Sequence, residues 1–263
     1  MRFLMRFVAA IAAACALAGA GVAAQAPTPD LGVLAPTNLS KPRPKPPFTI
    51  TGTWFIDLGF PGSWQFGPPY PKLTPEAQKH FDAAQKARAE GNVYRDDIGQ
   101  CWPAGVPLIM TRVWSISMVQ LPTVVYMISG FMNSLRVINM DGRPHTDPDL
   151  VVRTFNGDSI AHWEDDALVI DTTGFIDHHH WIASGIPASD QLHIVERVKL
   201  VGPNGTKMQI EYTMTDPKSW EGEWKMTKQW NRVDSRDMEI AEVECLPDLN
   251  SHIPSTQSKE NVR

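Results

Sequence analysis

The stretch TKMQIEYTMT, residues 206–215, decides the fold class. Met208, Ile210, Tyr212 and Met214 alternate with Gln209, Glu211, Thr213 and Thr215. A strand turns successive side chains to opposite faces, so this pattern is an antiparallel strand with one apolar face and one wet face. The run Leu192–Val201 precedes it, and Pro203, Asn204 and Gly205 supply turn chemistry between the two, which predicts a hairpin. Working outward, Trp224–Arg232 and Met238–Cys245 read as a hairpin around residues 234–237. Ser159–Trp163 and Ala167–Thr172 flank Glu164, Asp165 and Asp166, and Val124–Ser129 and Leu135–Met140 flank a turn near Gly130. Thr51–Leu58 adds a further strand.

One helix interrupts the strands. Thr74 is a capping residue, Pro75 suits the first helical position, Glu76 favours the positive end of the dipole, and Gly91 is a stop. Its apolar stripe, Ala77, Phe81 and Ala84, is thin, so the helix is expected on the surface. Sequential hairpins making about nine strands predict an all-β fold. The expectation is an antiparallel meander forming a barrel or strongly curled sheet, lipocalin-like in outline, with one peripheral helix. Met208, Tyr212, Met214, Trp224, Met226 and Trp230 are the inward candidates. A barrel of that size has room for one small ligand, or is filled by these side chains.

The chain has 263 residues, enough for one large or two small domains, with 43% hydrophobic and 20% charged residues. That composition supports a packed core and excludes wholesale disorder. The formal charge is −5, and no basic run offers a nucleic acid a surface, so no nucleic-acid partner is expected. There is no phosphate loop, no dinucleotide fingerprint and no nucleophile elbow, so no nucleotide cofactor is expected either.

Residues 1–24 read as an export signal. Arg2 and Arg6 precede the apolar run Phe7–Leu17, and Val22 and Ala24 occupy the −3 and −1 positions of a cleavage site. The run is too short and too alanine-rich for a membrane span. Cleavage removes two arginines and Cys15, which takes the formal charge from −5 to −7 and leaves Cys101 and Cys245 as the only cysteines. In an oxidising periplasmic or extracellular compartment these two are expected to pair. Residues 25–48 hold seven prolines and read as a polyproline-like arm, 49–250 as one β-barrel domain, and 251–263 as a flexible tail.

Asp141-Gly142-Arg143-Pro144-His145, Gly157-Asp158-Ser159, the run from Trp163 through Asp171 to Phe175, Leu192 to Arg197 and Asp216-Pro217 occur in that order. Together with the Cys101–Pro107 element they make residues 75–246 resemble a family of exported bacterial proteins of uncharacterised function. Its recurring motifs read DGRPH, WEGDTLVVDTxGF and LHVVER. The resemblance implies export and a set of candidate residues, but no named activity. Asp165 stands where the pattern has glycine, and Ile186 and Ala188 stand where it has histidine.

The chemical candidates are His145, His193, Arg197, Arg143 and Asp171. Arg143 and His145 follow the strand ending at Met140, which places them at a barrel rim. His193 and Arg197 share a strand face, about 13 Å apart at an offset of four. His193 suits a general acid or base, His145 a second proton carrier, and Arg197 a cation for an anionic or carbonyl oxygen, with Arg143 or Asp171 in support. All are expected to approach one end of the barrel cavity. His178 and His180 point the same way in an extended stretch, a spacing that suits a divalent metal.

These features point to an exported β-barrel enzyme working by acid–base chemistry, as a lyase, isomerase or hydrolase, on a small, partly apolar or aromatic molecule. The alternative is a non-catalytic periplasmic small-molecule binding protein. No membrane span is expected, and oligomeric state is not legible. N-terminal sequencing of the exported protein should begin at Gln25; a mature form retaining residues 1–24 would refute the cleavage site.

Overall fold

Alternating apolar residues bury one side of a strand, and a chain of such strands removes its open edges by closing on itself. The computed structural model describes residues 31–95, 97–183 and 185–247; the export segment and the tail lie outside them. In chain order the elements are a single helical turn α1 (Pro36–Leu39), then β1 (Gly52–Ile56), β2 (Lys72–Leu73) and helix α2 (Pro75–Ala89). Next come β3 (Ile116–Gln120), β4 (Val124–Ser129), β5 (Ser134–Asn139), β6 (Asp158–Glu164) and β7 (Ala167–Thr173). They are followed by β8 (Trp181–Ala183), β9 (Ile186–Pro187), β10 (His193–Val201), β11 (Lys207–Thr215), β12 (Trp220–Glu221) and β13 (Trp224–Val233).

The barrel is closed in the order β1-β13-β11-β10-β7-β6-β5-β4-β3. The deciding hairpin forms as its alternation demands, with Ile194 opposite Met214 and Val198 opposite Ile210. Met208, Ile210, Tyr212 and Met214 are buried on its inner face, beside Trp224 and Trp230 from β13. Two differences from the sequence reading matter. Met238–Cys245 is not a strand, because β13 already has β11 on one edge and β1 on the other. The ninth strand is instead β3, which joins β1 to β4. Residues 239–246 run beside the β4–β5 turn, where the Asn133 side chain donates to Val243 O at 2.7 Å and accepts from Val243 N at 3.0 Å. The expected Cys101–Cys245 disulfide is present.

Helix α2 starts where expected. The Thr74 hydroxyl accepts from Ala77 N at 3.3 Å, and Gly91 beyond its end has φ +75°. Its small face packs on the β8–β9 hairpin at Gly185, where an added Cβ would sit 2.5 Å from Ala84 Cβ. The proline-rich arm, from residue 32 onward, lies along the barrel. Asn38 is buried and donates to Asp141 at 2.9 Å, Thr123 Oγ1 donates to Val33 O at 2.6 Å, and Phe48 meets Trp163 edge-on.

One seam departs from the meander. β5 and β6 run parallel and pair only at Ile138–Ser159 and Asn139–Ile160. Before that contact the chain at Thr154 bonds toward Gly174 and Phe175 instead of β5. Gly157 makes this bend. Its φ is +69°, and a Cβ there would sit 2.6 Å from Thr173 O, so only glycine fits without displacement.

The interior beside the seam is charged. Arg136, 2% exposed, donates to Glu196, Ser159 Oγ and Thr172 Oγ1, so one guanidinium from β5 reaches β6, β7 and β10. Removing one member of a buried pair strands the other charge, typically costing about 3–5 kcal/mol, whereas replacing both with apolar residues is often close to neutral. Glu196→Leu should therefore lower unfolding stability by about that much, and Arg136→Met combined with Glu196→Leu should recover most of the loss in denaturant titrations. A double variant as unstable as the sum of the singles would refute this.

Candidate functional site

Side chains on β7 and β10 whose neighbours fill the core must themselves face outward. Thus Asp171 projects from β7 between buried Ile170 and Thr172, and His193 from β10 ahead of buried Ile194. Val195 is the direct partner of Asp171, which leaves His193 diagonally across from it and within reach. His193 Nε2 lies 2.9 Å from Asp171 Oδ1. His145, carried on the crossover from β5 to β6, places its Nε2 3.0 Å from the same oxygen and its Nδ1 3.2 Å from Asp158 Oδ2. Thr146 N also donates to Asp158 Oδ2, at 2.8 Å. Asp158, His145, Asp171 and His193 therefore form one chain of alternating acids and imidazoles.

A carboxylate only accepts. Each histidine nitrogen facing one must carry a hydrogen unless the acid itself is protonated. A neutral His145 donates to Asp158 or to Asp171; an imidazolium donates to both. His193 is committed to Asp171 through Nε2, which leaves Nδ1 as the atom that takes or gives a proton. The hydrogen bond to Asp171 raises the His193 pKa above its ordinary value, against the effect of burial. The bonds to His193 and then His145 lower that of Asp171, again against burial. Exposure rises along the chain, from 16% for the Asp158 side chain to 42% for His193.

Asp158 is also part of a groove. The splay between β5 and the Gly157 bend opens a space of about 480 Å³, lined by Leu135, Val137 and Phe155 with Asn133, Asn156 and Asp158. Ser134 and Ser159 also line it, and the Ser159 hydroxyl is the one that receives Arg136. Asn156 spans the splay, donating to Ser134 Oγ at 3.1 Å and to Leu135 O at 2.9 Å.

The other sequence candidates fall elsewhere. The site is on the outer face at a barrel end and not in the interior, because the inward positions are filled by Trp54, Tyr212, Trp230, Arg136 and Lys228. Arg197 shares the outer face of His193 but sits farther along β10, where it pairs with Glu164. Arg143 binds Asp141 through two nitrogens, at 2.8 and 2.7 Å, and this holds the Asp141 pKa down to about 2. That pair anchors the arm through Asn38 and does not join the cluster.

His178 and His180 do not share a face, because His179 between them has φ +53° and turns the chain. His178 is exposed. His180 is buried, donates Nε2 to Val106 O at 2.9 Å, and burial pushes its pKa down to about 4. The two imidazoles therefore do not face one another as the expected metal pair would. Among the described residues no group of three or more His, Cys, Asp or Glu side chains is arranged to hold a metal ion. His179 bonds buried Asp97 at 2.6 Å and stacks on Trp102.

No protein-family profile and no curated protein matches the chain. Among solved structures it is similar to the wild-type fluorescent protein UnaG at 12% identity, over 70% of this chain and 97% of that one, with a TM-score of 0.35. A point mutant of UnaG is similar at 12% identity over 71% and 97%, with a TM-score of 0.32.

The His193–Asp171 contact sets a pH window. His193, with its raised pKa, contributes stability below the unfolded histidine value of about 6.5 and loses it as pH rises through the folded value. Asp171, with its lowered pKa, contributes above the unfolded value of about 3.9 and loses it as pH falls through the folded value. The contact is strongest between those two titrations. In an NMR titration, Asp171→Asn should bring the His193 midpoint down toward about 6.5; an unchanged midpoint would refute the coupling.

Proposed function

We propose that this protein is an exported β-barrel that binds a small, partly apolar or aromatic molecule in the β5–β6 groove and moves a proton on it through the Asp158–His145–Asp171–His193 chain. One observation carries this reading: Asp158 belongs both to the groove lining and to the acid–imidazole chain. A groove of this volume suits a drug-sized ligand, and its mix of apolar walls with a few amide and hydroxyl groups suits orientation of a molecule with one polar end. Alternating acids and imidazoles at 2.9–3.2 Å can pass a proton between a less exposed and a more exposed end, which suits general acid–base work. A lyase, isomerase or hydrolase step fits such a relay.

Export is supported by the signal-like residues 1–24 and by the disulfide. No helix among the described residues is long and apolar enough to cross a membrane. Membership of the exported family named above fits the geometry as well. Four residues from its motifs, His145, Asp158, Asp171 and His193, meet in the chain, and Asp165 takes the turn with φ +50°, a conformation that favours glycine.

The test is a thermal-shift screen of small aromatic and partly apolar molecules, followed by assay of each hit for conversion. Val137→Lys should abolish the shift. His145→Gln should keep binding and lower turnover by about 100-fold or more, the usual worth of a general acid or base. Hits that bind but are never converted would replace the enzyme with the carrier reading. Hits indifferent to Val137→Lys would remove the groove from the account.

A further inference from the structure

The disulfide and the groove meet in space. Pro103 lines the groove and lies two residues after Cys101. Met132 and Asn133 belong to the same lining. Asn133 exchanges two hydrogen bonds with Val243, two residues before Cys245. The strap 239–246 also crosses the β4–β5 turn closely enough that a Cβ on Gly130 would sit 2.8 Å from Ala241 O. The Cys101–Cys245 bond therefore links two parts of the groove lining, Pro103 through Cys101 and Asn133 through the strap.

Two features make Met132 and Asn133 depend on that link. Among the described residues none of 239–246 belongs to a strand, so no ladder of main-chain bonds keeps the strap in place. Met132 and Asn133 have φ of +57° and +46°; asparagine enters this left-handed region readily, but methionine pays for it and stays there where the surroundings hold the turn. The reciprocal Val243–Asn133 bonds are such a hold.

We propose that the Cys101–Cys245 disulfide is a redox-controlled clasp on the β5–β6 groove, a reading that rests on the groove being the ligand site. Oxidised, it keeps the strap on Asn133 and the groove in its binding shape. A dithiol reductant supplies two electrons and two protons. The S–S bond breaks, Cys101 and Cys245 become thiols, and the dithiol closes to its own disulfide. The strap is then free to leave, Met132 and Asn133 relax from the left-handed region, and the groove loses affinity.

The experiment titrates the mature chain with the fluorescent apolar probe 8-anilinonaphthalene-1-sulfonate, with near-ultraviolet circular dichroism reporting the fold. Reduction by dithiothreitol, and the double variant Cys101→Ser with Cys245→Ser, should each weaken probe binding about tenfold. Val243→Pro removes the strap's N–H to Asn133 with the disulfide intact and should weaken it about two- to fivefold, the worth of one hydrogen bond. A reduced protein that keeps its native dichroism and its affinity overturns the clasp. If reduction abolishes the dichroism, Val243→Pro decides: weakened binding supports the clasp, and unchanged binding overturns it. Probe binding indifferent to Val137→Lys is a different failure, that of the groove as the ligand site.

Discussion

Arg136 closes the barrel where its main chain does least. β5 and β6 meet through only two residue pairs, the weakest junction in the ring. The guanidinium crosses that junction from the inside and is received by Glu196 on β10, Ser159 on β6 and Thr172 on β7. Its planar fork suits this role, since it offers donors in several fixed directions at once. Burying the two charges is expensive, and the compensation is geometric as much as energetic. An apolar pair in the same place has no directional bonds with which to fix the relative positions of four strands.

The groove follows from the same seam. A strand that continued upstream of Asp158 alongside β5 would fill the space between them. Gly157 turns the chain away, toward Gly174 and Phe175, and Asn156 sends a side chain back across the gap in place of a backbone ladder. The opening is thus bounded by residues that are firmly held: Ser159 beneath it, Asn156 across it, and Asp158 at its edge, fixed by Thr146 N and His145. Asp158 thus belongs at once to the groove lining and to the acid–imidazole chain.

The hairpins and the helix cap were legible in the sequence because each depends on residues within a few positions of one another. Thr74, Gly91, the Asn204–Gly205 turn and the alternation through Met208–Met214 all state their structure locally. The ninth strand was not. MEIAEVEC, residues 238–245, alternates as well as many strands, yet β13 has no free edge for it, a fact about closure that only the assembled sheet contains. β3 hid for the opposite reason: Ile116 and Met118 face in, but Val119 is an exposed apolar residue that blurs the period. His145, Asp171 and His193 were named from their residue types, and they do converge. Asp158 lay inside a quoted motif, but its link to His145 depends on the path of the crossover. Nothing near His178–His180 signalled the left-handed backbone of His179, which places its neighbours on different faces.

The candidate residues were expected to approach one end of the barrel cavity, and they lie on the outer face instead, for a reason of volume and charge. Trp54, Tyr212 and Trp230 occupy the inward positions, and Arg136 is consumed by the seam. Lys228 is buried as well. Its ammonium donates to the carbonyls of Gly62, Ser63 and Gln65 in the loop after β1, and burial pushes its pKa down to about 8. The charges inside are therefore spent on holding the barrel and its loop, with their hydrogen-bonding directions fixed by strands and carbonyls. A group that exchanges protons with a substrate needs the reverse: a free nitrogen, a neighbour that tolerates either protonation state, and access to water. In the acid–imidazole chain both His145 nitrogens face carboxylates, and it is His193, bonded to Asp171 through Nε2, whose Nδ1 lies outside the chain at its more exposed end.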